Sequence, residues 1–93
     1  MQVKQTNNFR KKIKKLSTQA KKEVDKVVRE IIDDPLIGEL KKGDLSFVRT
    51  HKFKLNKQLT LLGYIYEESR VTLTFISLGS HENFYRDLKR QVH

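Results

Sequence analysis

The spacing of the apolar residues changes near the middle of the chain, and this change constrains the fold more than any other feature. Up to Asp33 the apolar residues recur at helical spacing, whereas from Ser46 onward they alternate or form β-rich runs. The segment Asp33-Asp34-Pro35 stands between the halves, and a residue that precedes proline avoids the α region. The sequence therefore predicts helices first and an antiparallel sheet afterwards, which is an α+β chain.

The first half is predicted to hold a short strand and two helices. Residues 3–5 form the strand. The first helix has one apolar stripe at positions i, i+4 and i+7, made by Phe9, Ile13 and Leu16. Ser17 interrupts this stripe and can serve as N-cap for a second helix from Thr18 to Asp33. Because one short break joins the helices, we expect an antiparallel helical hairpin.

The second half is predicted to hold three strands, in the runs at residues 46–55, 59–68 and 70–79. A loop through "LIGELKKGDL" precedes them, and residues 82–90 predict a short closing helix or tail. The expected order is β-α-α-β-β-β, with the helical hairpin on one face of the antiparallel sheet and the other face free. A chain of 93 residues has room for one core, so we expect a single domain, residues 1–93.

The positive charge of the chain is concentrated in its first third. The net charge is +9, and residues 1–30 hold ten Lys or Arg against three acidic residues. The densest stretch is "FRKKIKKL", which contributes Lys11, Lys12, Lys14 and Lys15. Such a surface suits RNA, DNA or an acidic protein partner. The alternative is a solvated helix face that keeps a small protein soluble.

Several classes of chemistry lack their signatures in this sequence. There is no cysteine, so no disulfide or thiolate nucleophile is available. The histidines show no metal-ligand spacing and the glycines form no phosphate-binding loop, so we expect neither a metal nor a cofactor. No apolar run approaches the ~20 residues that span a bilayer, and the N-terminus lacks the apolar centre of a signal peptide. The expected location is the cytoplasm, without a membrane partner.

Two lysines in "RTHKFKL" are candidates for binding phosphate. Strand alternation puts Lys52 and Lys54 on one face, about 7 Å apart, and puts Arg49 and His51 on the other. The spacing of the lysines suits two neighbouring anionic groups. The alternative is a solvated outer face on which lysines limit aggregation.

A histidine directly after the last predicted strand is a candidate for proton transfer. His81 lies in "SLGSHENFYRDLKR", and Tyr85 follows four residues later. An imidazole can donate or accept a proton at cytosolic pH. The alternative is a polar loop residue without a chemical role.

The chain as a whole resembles the RelE/ParE superfamily of small basic bacterial toxins. The resemblance runs through the basic helical hairpin, the break at "DDPLIGELKKGDLSFVRTHKF", the hairpin "LTLLGYIY" and the closing "LGSHENFYRDLKR". The most specific block, "FISLGSHENFY", looks like the end of YafQ-type members. The resemblance implies the toxin of a type II toxin–antitoxin system, an endoribonuclease without metal or cofactor that cuts mRNA in the ribosomal A site. The 2′-hydroxyl would attack the adjacent phosphate, leaving a 2′,3′-cyclic phosphate and a free 5′-hydroxyl.

The resemblance also implies a role for each candidate residue. His81 falls where YafQ-type members carry a catalytic histidine, and we expect it to be the general acid. Tyr85 would stack on a base, orient the RNA or assist proton transfer. Lys52 and Lys54 would stabilise the phosphorane, and Arg49 and His51 would add RNA contacts.

The resemblance also implies several partners, and the chain departs from the family pattern in two respects. The partners are the 70S ribosome with its mRNA, a cognate antitoxin, and operator DNA for the toxin–antitoxin complex, all in the bacterial cytoplasm. The chain has Leu61 where RelE has a phosphate-contacting arginine. The acidic base of YoeB-type members has no secure counterpart.

Two other functions compete with mRNA cleavage. ParE-type members share the fold but poison DNA gyrase, and they generally lack the set of Lys52, Lys54, His81 and Tyr85. A basic RNA-binding or ribosome-associated module without enzymatic activity would need only the charge. The four residues favour the endoribonuclease.

Overall fold

The computed structural model describes residues 1–80, 84–86 and 88–89. Its elements follow in the order β1 (Gln2–Gln5), α1 (Asn7–Lys14), α2 (Thr18–Asp33), β2 (Glu39–Leu40), a 3-10 turn (Gly43–Leu45), β3 (Arg49–Leu55), β4 (Gln58–Glu67) and β5 (Thr72–Ser80). Residues 84–86 and 88–89 are helical. The five strands form one sheet in the order β1-β5-β4-β3-β2. The predicted α+β class, with two helices on a sheet and a short C-terminal helix, is confirmed.

The caps of both helices are side-chain oxygens. Thr6 precedes α1 and accepts a hydrogen bond from the Phe9 N–H. Ser17 precedes α2 as predicted and accepts a hydrogen bond from the Ala20 N–H. The second helix ends at Asp33, two residues before Pro35, where the sequence predicts its end. Within the described part of the chain, no helix is long and apolar enough to cross a membrane.

The sheet differs from the prediction in two respects. It is mixed rather than wholly antiparallel, because β1 pairs in parallel with β5. The predicted loop at residues 36–45 contains β2, whose Glu39 and Leu40 pair with Thr50 and Arg49. Both differences involve short strands at the sheet edges, where the partner strand rather than a local pattern determines the conformation.

A two-residue turn joins β3 to β4. Its residues, Asn56 and Lys57, have φ angles of 51° and 68°. Positive φ at both positions is the type I′ geometry, whose twist matches that of the flanking strands. The turn keeps β3 and β4 in register from Leu55 with Gln58 to Arg49 with Tyr64.

One face of the sheet, the helix face, packs against α1 and α2. Its core is made by Phe9, Val24, Val27, Ile31, Leu62, Tyr64, Leu73, Phe75 and Leu78. Phe53 and Leu55 pack against this core from β3. The opposite face is called the lysine face here, because strand alternation places Lys52 and Lys54 of β3 on it.

The lysine face is not free, in contrast to the expectation. A second core covers part of it, made by Leu45, Val48, Leu61, Ile76, Phe84 and Leu88. The ring of Phe84 lies directly over Gly63 of β4, so that a Cβ at Gly63 would be 2.7 Å from its Cζ atom. β4 and β5 carry apolar side chains on both faces of the sheet. Exposure of either face to water would be unfavourable, and the second core removes part of the lysine face from water.

Tyr64 connects the loop after α2 to the helix-face core. Its hydroxyl accepts a hydrogen bond from the Gly38 N–H at 2.8 Å and donates one to the Pro35 carbonyl at 2.8 Å. Burial raises the pKa of the Tyr64 hydroxyl above its usual value of 10.0, against an opposing effect of the Gly38 hydrogen bond. The fold therefore favours the neutral phenol, which can donate to Pro35.

We expect Tyr64→Phe to lower the free energy of unfolding at neutral pH by about 1–3 kcal/mol, because the Gly38 and Pro35 groups lose their partner. The contribution of Tyr64 to the free energy of unfolding should fall above pH 10.0, because its raised pKa keeps the folded tyrosine protonated where the unfolded one ionises. The gap between the two proteins should therefore shrink in alkali. Urea denaturation at neutral and alkaline pH measures it, with Tyr66→Phe as the control. A gap that stays constant with pH would contradict this account.

A second prediction concerns the contact between Phe84 and Gly63. Gly63→Ala should lower the free energy of unfolding by roughly 1–3 kcal/mol, because the added methyl group displaces the ring. Gly79→Ala is the matched control on β5, since a Cβ there meets its nearest atoms at 3.7–3.9 Å. Thermal unfolding of both variants tests this, and equal midpoints would show that Phe84 does not pack on Gly63.

Candidate functional site

Lys52 and Lys54 lie exposed on the lysine face, at the end that the second core leaves uncovered. In the sheet, Lys52 pairs with Leu61, which in turn pairs with Gly79. Paired residues direct their side chains to the same face. Lys52, Leu61 and Gly79 therefore form one row across three strands, and Lys54 pairs with Leu59 in the next row. The two lysines stand on rigid strands, two residues apart.

Phe84 covers the neighbouring row of residues on the lysine face. It consists of Thr50, Gly63 and Ser77, and Phe84 lies over its middle. Thr50 Oγ1 and Ser77 Oγ are buried, and neither has a hydrogen-bond partner in the described part of the molecule. The apolar cover also reaches the row of Lys52, because Leu61 of that row is fully buried in the second core. The lysines stand beside a low-dielectric wall, which strengthens their interaction with an anion.

The Tyr85 side chain contacts an aromatic ring and a lysine. Its ring lies edge-on to Phe84, with 5.1 Å between the ring centroids. Lys41 Nζ lies 5.5 Å from the Tyr85 centroid, and a hydrogen bond to the Tyr85 hydroxyl is the main cause that raises the pKa of the Lys41 ammonium. The two residues line a pocket of about 270 Å³ together with Lys42, Asp44, Leu45 and Lys89. An aromatic ring among three ammonium groups suits a base and its phosphate.

This pocket lies toward the start of β3. The Lys41 N–H donates to the Val48 carbonyl, which is four residues before Lys52 along the chain. Four residues of strand span about 13 Å. The backbone of Lys41, whose side chain lines this pocket, is therefore displaced from Lys52 by about that distance along β3.

Arg49 and His51 lie on the opposite, helix face of the sheet. The Arg49 guanidinium donates to the Gly38 carbonyl at 2.9 Å. His51 Nε2 is 3.9 Å from a carboxylate oxygen of Glu30 on α2. The structure therefore does not bring these two residues together with Lys52 and Lys54, and their predicted RNA contacts stay a prediction.

The lysines of α1 do not share one environment. Lys11, Lys14 and Lys15 are exposed, whereas Lys12 is half-buried. His81 follows Ser80, the last residue of β5, in the sequence but lies outside the described residues. The predicted general acid is therefore not located by the structure.

Two features of the site were missed by sequence reasoning. Lys41 was not singled out, because the pairing of β2 with β3 that places it beside Tyr85 has no local signal. The sequence did not distinguish Lys12 from Lys11, Lys14 and Lys15, because all four lysines lie in one basic stretch. Among residues 1–80, 84–86 and 88–89, no cluster of His, Cys, Asp or Glu could hold a metal ion.

Comparison with solved structures places the fold among bacterial toxins. A chain of the intact E. coli RelBE toxin–antitoxin complex superimposes with a TM-score of 0.68 at 22% identity, covering 85% of this chain and 94% of that chain. The YoeB/ParE toxin from Agrobacterium tumefaciens gives 0.71 at 16% identity, with 87% and 99% covered. A conserved hypothetical protein from Helicobacter pylori gives 0.54 at 27% identity, with 88% and 96% covered.

The sequence itself carries the family assignment. A search among curated proteins found no significant match. The family model described as ParE-like toxin of type II bacterial toxin–antitoxin systems matches residues 3–89. This match covers nearly the whole chain and agrees with the fold of the structural relatives. The chain belongs to the ParE-like toxin family of type II bacterial toxin–antitoxin systems, within the RelE/ParE superfamily.

Proposed function

We propose that this toxin is a metal-independent endoribonuclease that cleaves mRNA in the ribosomal A site and thereby inhibits translation in the bacterial cytoplasm. The observation that carries the proposal is the exposed pair Lys52 and Lys54 beside the apolar cover of the lysine face. A surface that only solubilises the protein does not need an ammonium group beside a fully buried leucine, whereas Lys52 pairs with Leu61.

The reaction would proceed by internal attack within the RNA. The 2′-hydroxyl gives its proton to a solvent water, its oxygen forms a bond to the adjacent phosphorus, and the bond from phosphorus to the 5′-oxygen breaks. The products are a 2′,3′-cyclic phosphate and a 5′-hydroxyl. Negative charge grows on the phosphorane oxygens, and Lys52 and Lys54 would stabilise it by charge-assisted hydrogen bonds.

His81 and Tyr85 would complete the site. His81 would give its proton to the leaving 5′-oxygen as general acid. Tyr85 would stack on a base in the pocket that it lines together with Lys41. The general acid would thus act on the scissile phosphate, while Tyr85 would hold a nucleotide further along the strand.

Contact with the ribosome would come from α1. Lys11, Lys14 and Lys15 are exposed on this helix, and the net charge of the chain is +9. Ammonium groups that contact phosphates release counterions, so affinity for rRNA falls steeply with salt. Arg49 and His51, which lie on the helix face beside Gly38 and Glu30, would have a supporting role in RNA binding.

A cognate antitoxin would bind a groove between α1, α2 and β1. The groove has a volume of about 560 Å³ and an apolar lining of Val3, Phe9, Ile13, Val24, Val28 and Phe75. Lys4, Lys21 and Lys22 line it as well, against one acidic residue, Asp25. This combination suits an amphipathic acidic segment, which would also neutralise the nearby lysines of α1. The complex of toxin and antitoxin would bind operator DNA.

A second candidate function is poisoning of DNA gyrase without RNA cleavage. It is favoured by the description of the matching family as ParE-like. Inhibition of supercoiling by purified gyrase, with no new 5′ ends in translated mRNA, would establish this function. A third outcome, ribosome binding with neither activity, would identify a basic RNA-binding module.

Cleavage can be tested by translating a defined mRNA with the protein and mapping new 5′ ends by primer extension. We expect the wild type to produce such ends and His81→Ala to lower the rate by ~10²–10⁴, because a general acid acts in the transition state. Ribosome binding should stay near the wild-type level. Lys52→Gln and Lys54→Gln should each slow cleavage, and their effects should not add, since both act on one phosphorane.

The matched control for these lysines is Lys57→Gln. Lys57 is exposed in the turn between β3 and β4, so this variant removes the same charge three residues from Lys54. A loss equal to that of Lys52→Gln would mean that only net charge matters. If His81→Ala cut mRNA at the wild-type rate, the acid would have to be another residue.

Antitoxin binding should depend on the lysines that line the groove. We expect Lys21→Glu with Lys22→Glu to weaken binding of the protein encoded beside the toxin gene by at least roughly tenfold, because like charges would meet. Lys26→Glu is the control, since Lys26 is exposed on the same helix but does not line the groove. Calorimetry measures the affinity, and equal losses in both proteins would place the antitoxin elsewhere.

A further inference from the structure

The ammonium group of Lys41 lies between an acidic residue and an aromatic one. Its Nζ atom is 3.6 Å from Glu39 Oε1, and it forms a hydrogen bond with the Tyr85 hydroxyl. The Lys41 side chain is only 17% exposed, whereas the next residue, Lys42, is exposed. The charge of Lys41 therefore has a defined place beside Tyr85.

Pairing with β3 fixes the backbone of Lys41. Its N–H donates to the Val48 carbonyl at 2.9 Å, one step beyond the paired residues of β2. Val48 is fully buried in the second core, so it anchors this position. Glu39 shares the lysine face with Thr50, its partner in β3, and Lys41 follows two residues later on the same face. The Lys41 side chain therefore starts from a rigid point on the lysine face.

The Tyr85 side chain has a second contact, with Phe84. The two ring centroids are 5.1 Å apart and the ring planes are inclined by 84°. Phe84 is fully buried and lies over Gly63 of β4, whereas Tyr85 stays partly exposed and lines the pocket of about 270 Å³. Phe84 thus contacts the ring of Tyr85 and Lys41 contacts its hydroxyl, so both parts of the side chain have a neighbour.

Lys41 differs in this respect from the other two ammonium groups of the pocket. Lys42 and Lys89 are exposed and can turn toward a phosphate. Lys41 would have to give up its contacts with Tyr85 and Glu39 in order to bind a phosphate directly. Hydrogen bonds that involve an ionised group are about twice as strong as neutral ones, so the contact with Tyr85 is the one that we expect Lys41 to keep.

We propose that Lys41 is a positioning residue, which fixes the Tyr85 side chain in the orientation that holds single-stranded RNA in the cleavage site. Lys41 acts on the RNA only through the Tyr85 hydroxyl. This inference rests on the proposed endoribonuclease activity, in which Tyr85 binds a nucleotide. A ring whose orientation is set before the RNA arrives loses less conformational freedom on binding, and it places the nucleotide more accurately.

The experiment is a double-mutant cycle of Lys41→Met and Tyr85→Phe. The first substitution removes the ammonium group from a side chain of similar length, and the second keeps the Tyr85 ring but removes its hydroxyl. Single-turnover cleavage of mRNA on programmed ribosomes is measured with the toxin at saturating concentration, so that association does not limit the rate. Thermal unfolding of each variant checks the fold, and Lys41→Gln completes the same cycle if Lys41→Met does not fold.

We expect Lys41→Met to lower the saturated rate by roughly 10-fold to 10²-fold, because a misplacement of about 1 Å can cost that much. In the Tyr85→Phe background the same substitution should cause no further loss, since the hydroxyl through which Lys41 acts is absent. Lys41→Arg should recover most of the rate, because a guanidinium also donates hydrogen bonds. Lys57→Met is the control for the loss of one charge, in the exposed turn after β3, and should cleave at the wild-type rate.

Each contrary outcome has one meaning. If Lys41→Met cleaves as fast as Lys57→Met, the inference about Lys41 is overturned and the proposed function stands. If Lys41→Met slows cleavage as much in the Tyr85→Phe background as in the wild type, Lys41 acts on the RNA directly and the inference falls. It also falls if a folded Lys41→Arg protein is as slow as Lys41→Met. If the wild type produces no new 5′ ends, the proposed function falls and the inference with it.

Discussion

The central strands β4 and β5 carry apolar side chains on both faces, and the rest of the structure follows from this constraint. Leu61 and Leu62 are adjacent on β4, point to opposite faces and are both fully buried. A strand of this kind needs a cover on each side. The helices α1 and α2 cover one face, and the segment around Phe84 and Leu88 covers part of the other. The sheet is thus the middle layer of the molecule.

The incomplete second cover is what creates a candidate site. Phe84 packs over Gly63, where the absence of a side chain lets the ring approach the strand. Beyond it, the same face presents Lys52 and Lys54 to solvent. At this boundary the charged lysines lie beside apolar residues that exclude water. Fixed charges stabilise a developing anion most strongly where water is excluded, and catalysis of phosphoryl transfer depends on this effect. The sheet also holds the lysines more rigidly than a loop would.

The two ends of the chain converge on this boundary. Thr6 attaches the beginning of α1 to β5, and Phe84 and Leu88 pack on the lysine face. Lys12 and Phe84 consequently both lie beside Gly79, although they are distant in sequence. The basic first third of the chain therefore does more than add charge to the surface. It contributes at least one ammonium group to the same face as the central lysines.

The sequence alone determined the elements whose cause is local. The bounds of α2 follow from the Ser17 cap and from Pro35, and the opposite faces of Lys52 and His51 follow from strand alternation. The sequence motifs also indicated the RelE/ParE superfamily, to which the matching family model assigns the chain. Tertiary structure alone decided the parallel pairing of β1, the cover by Phe84, the contact of Lys41 with Tyr85 and the position of Lys12. Each of these joins residues far apart in the chain, and such contacts depend on register and on the packing of both faces, which no local spacing of residues specifies.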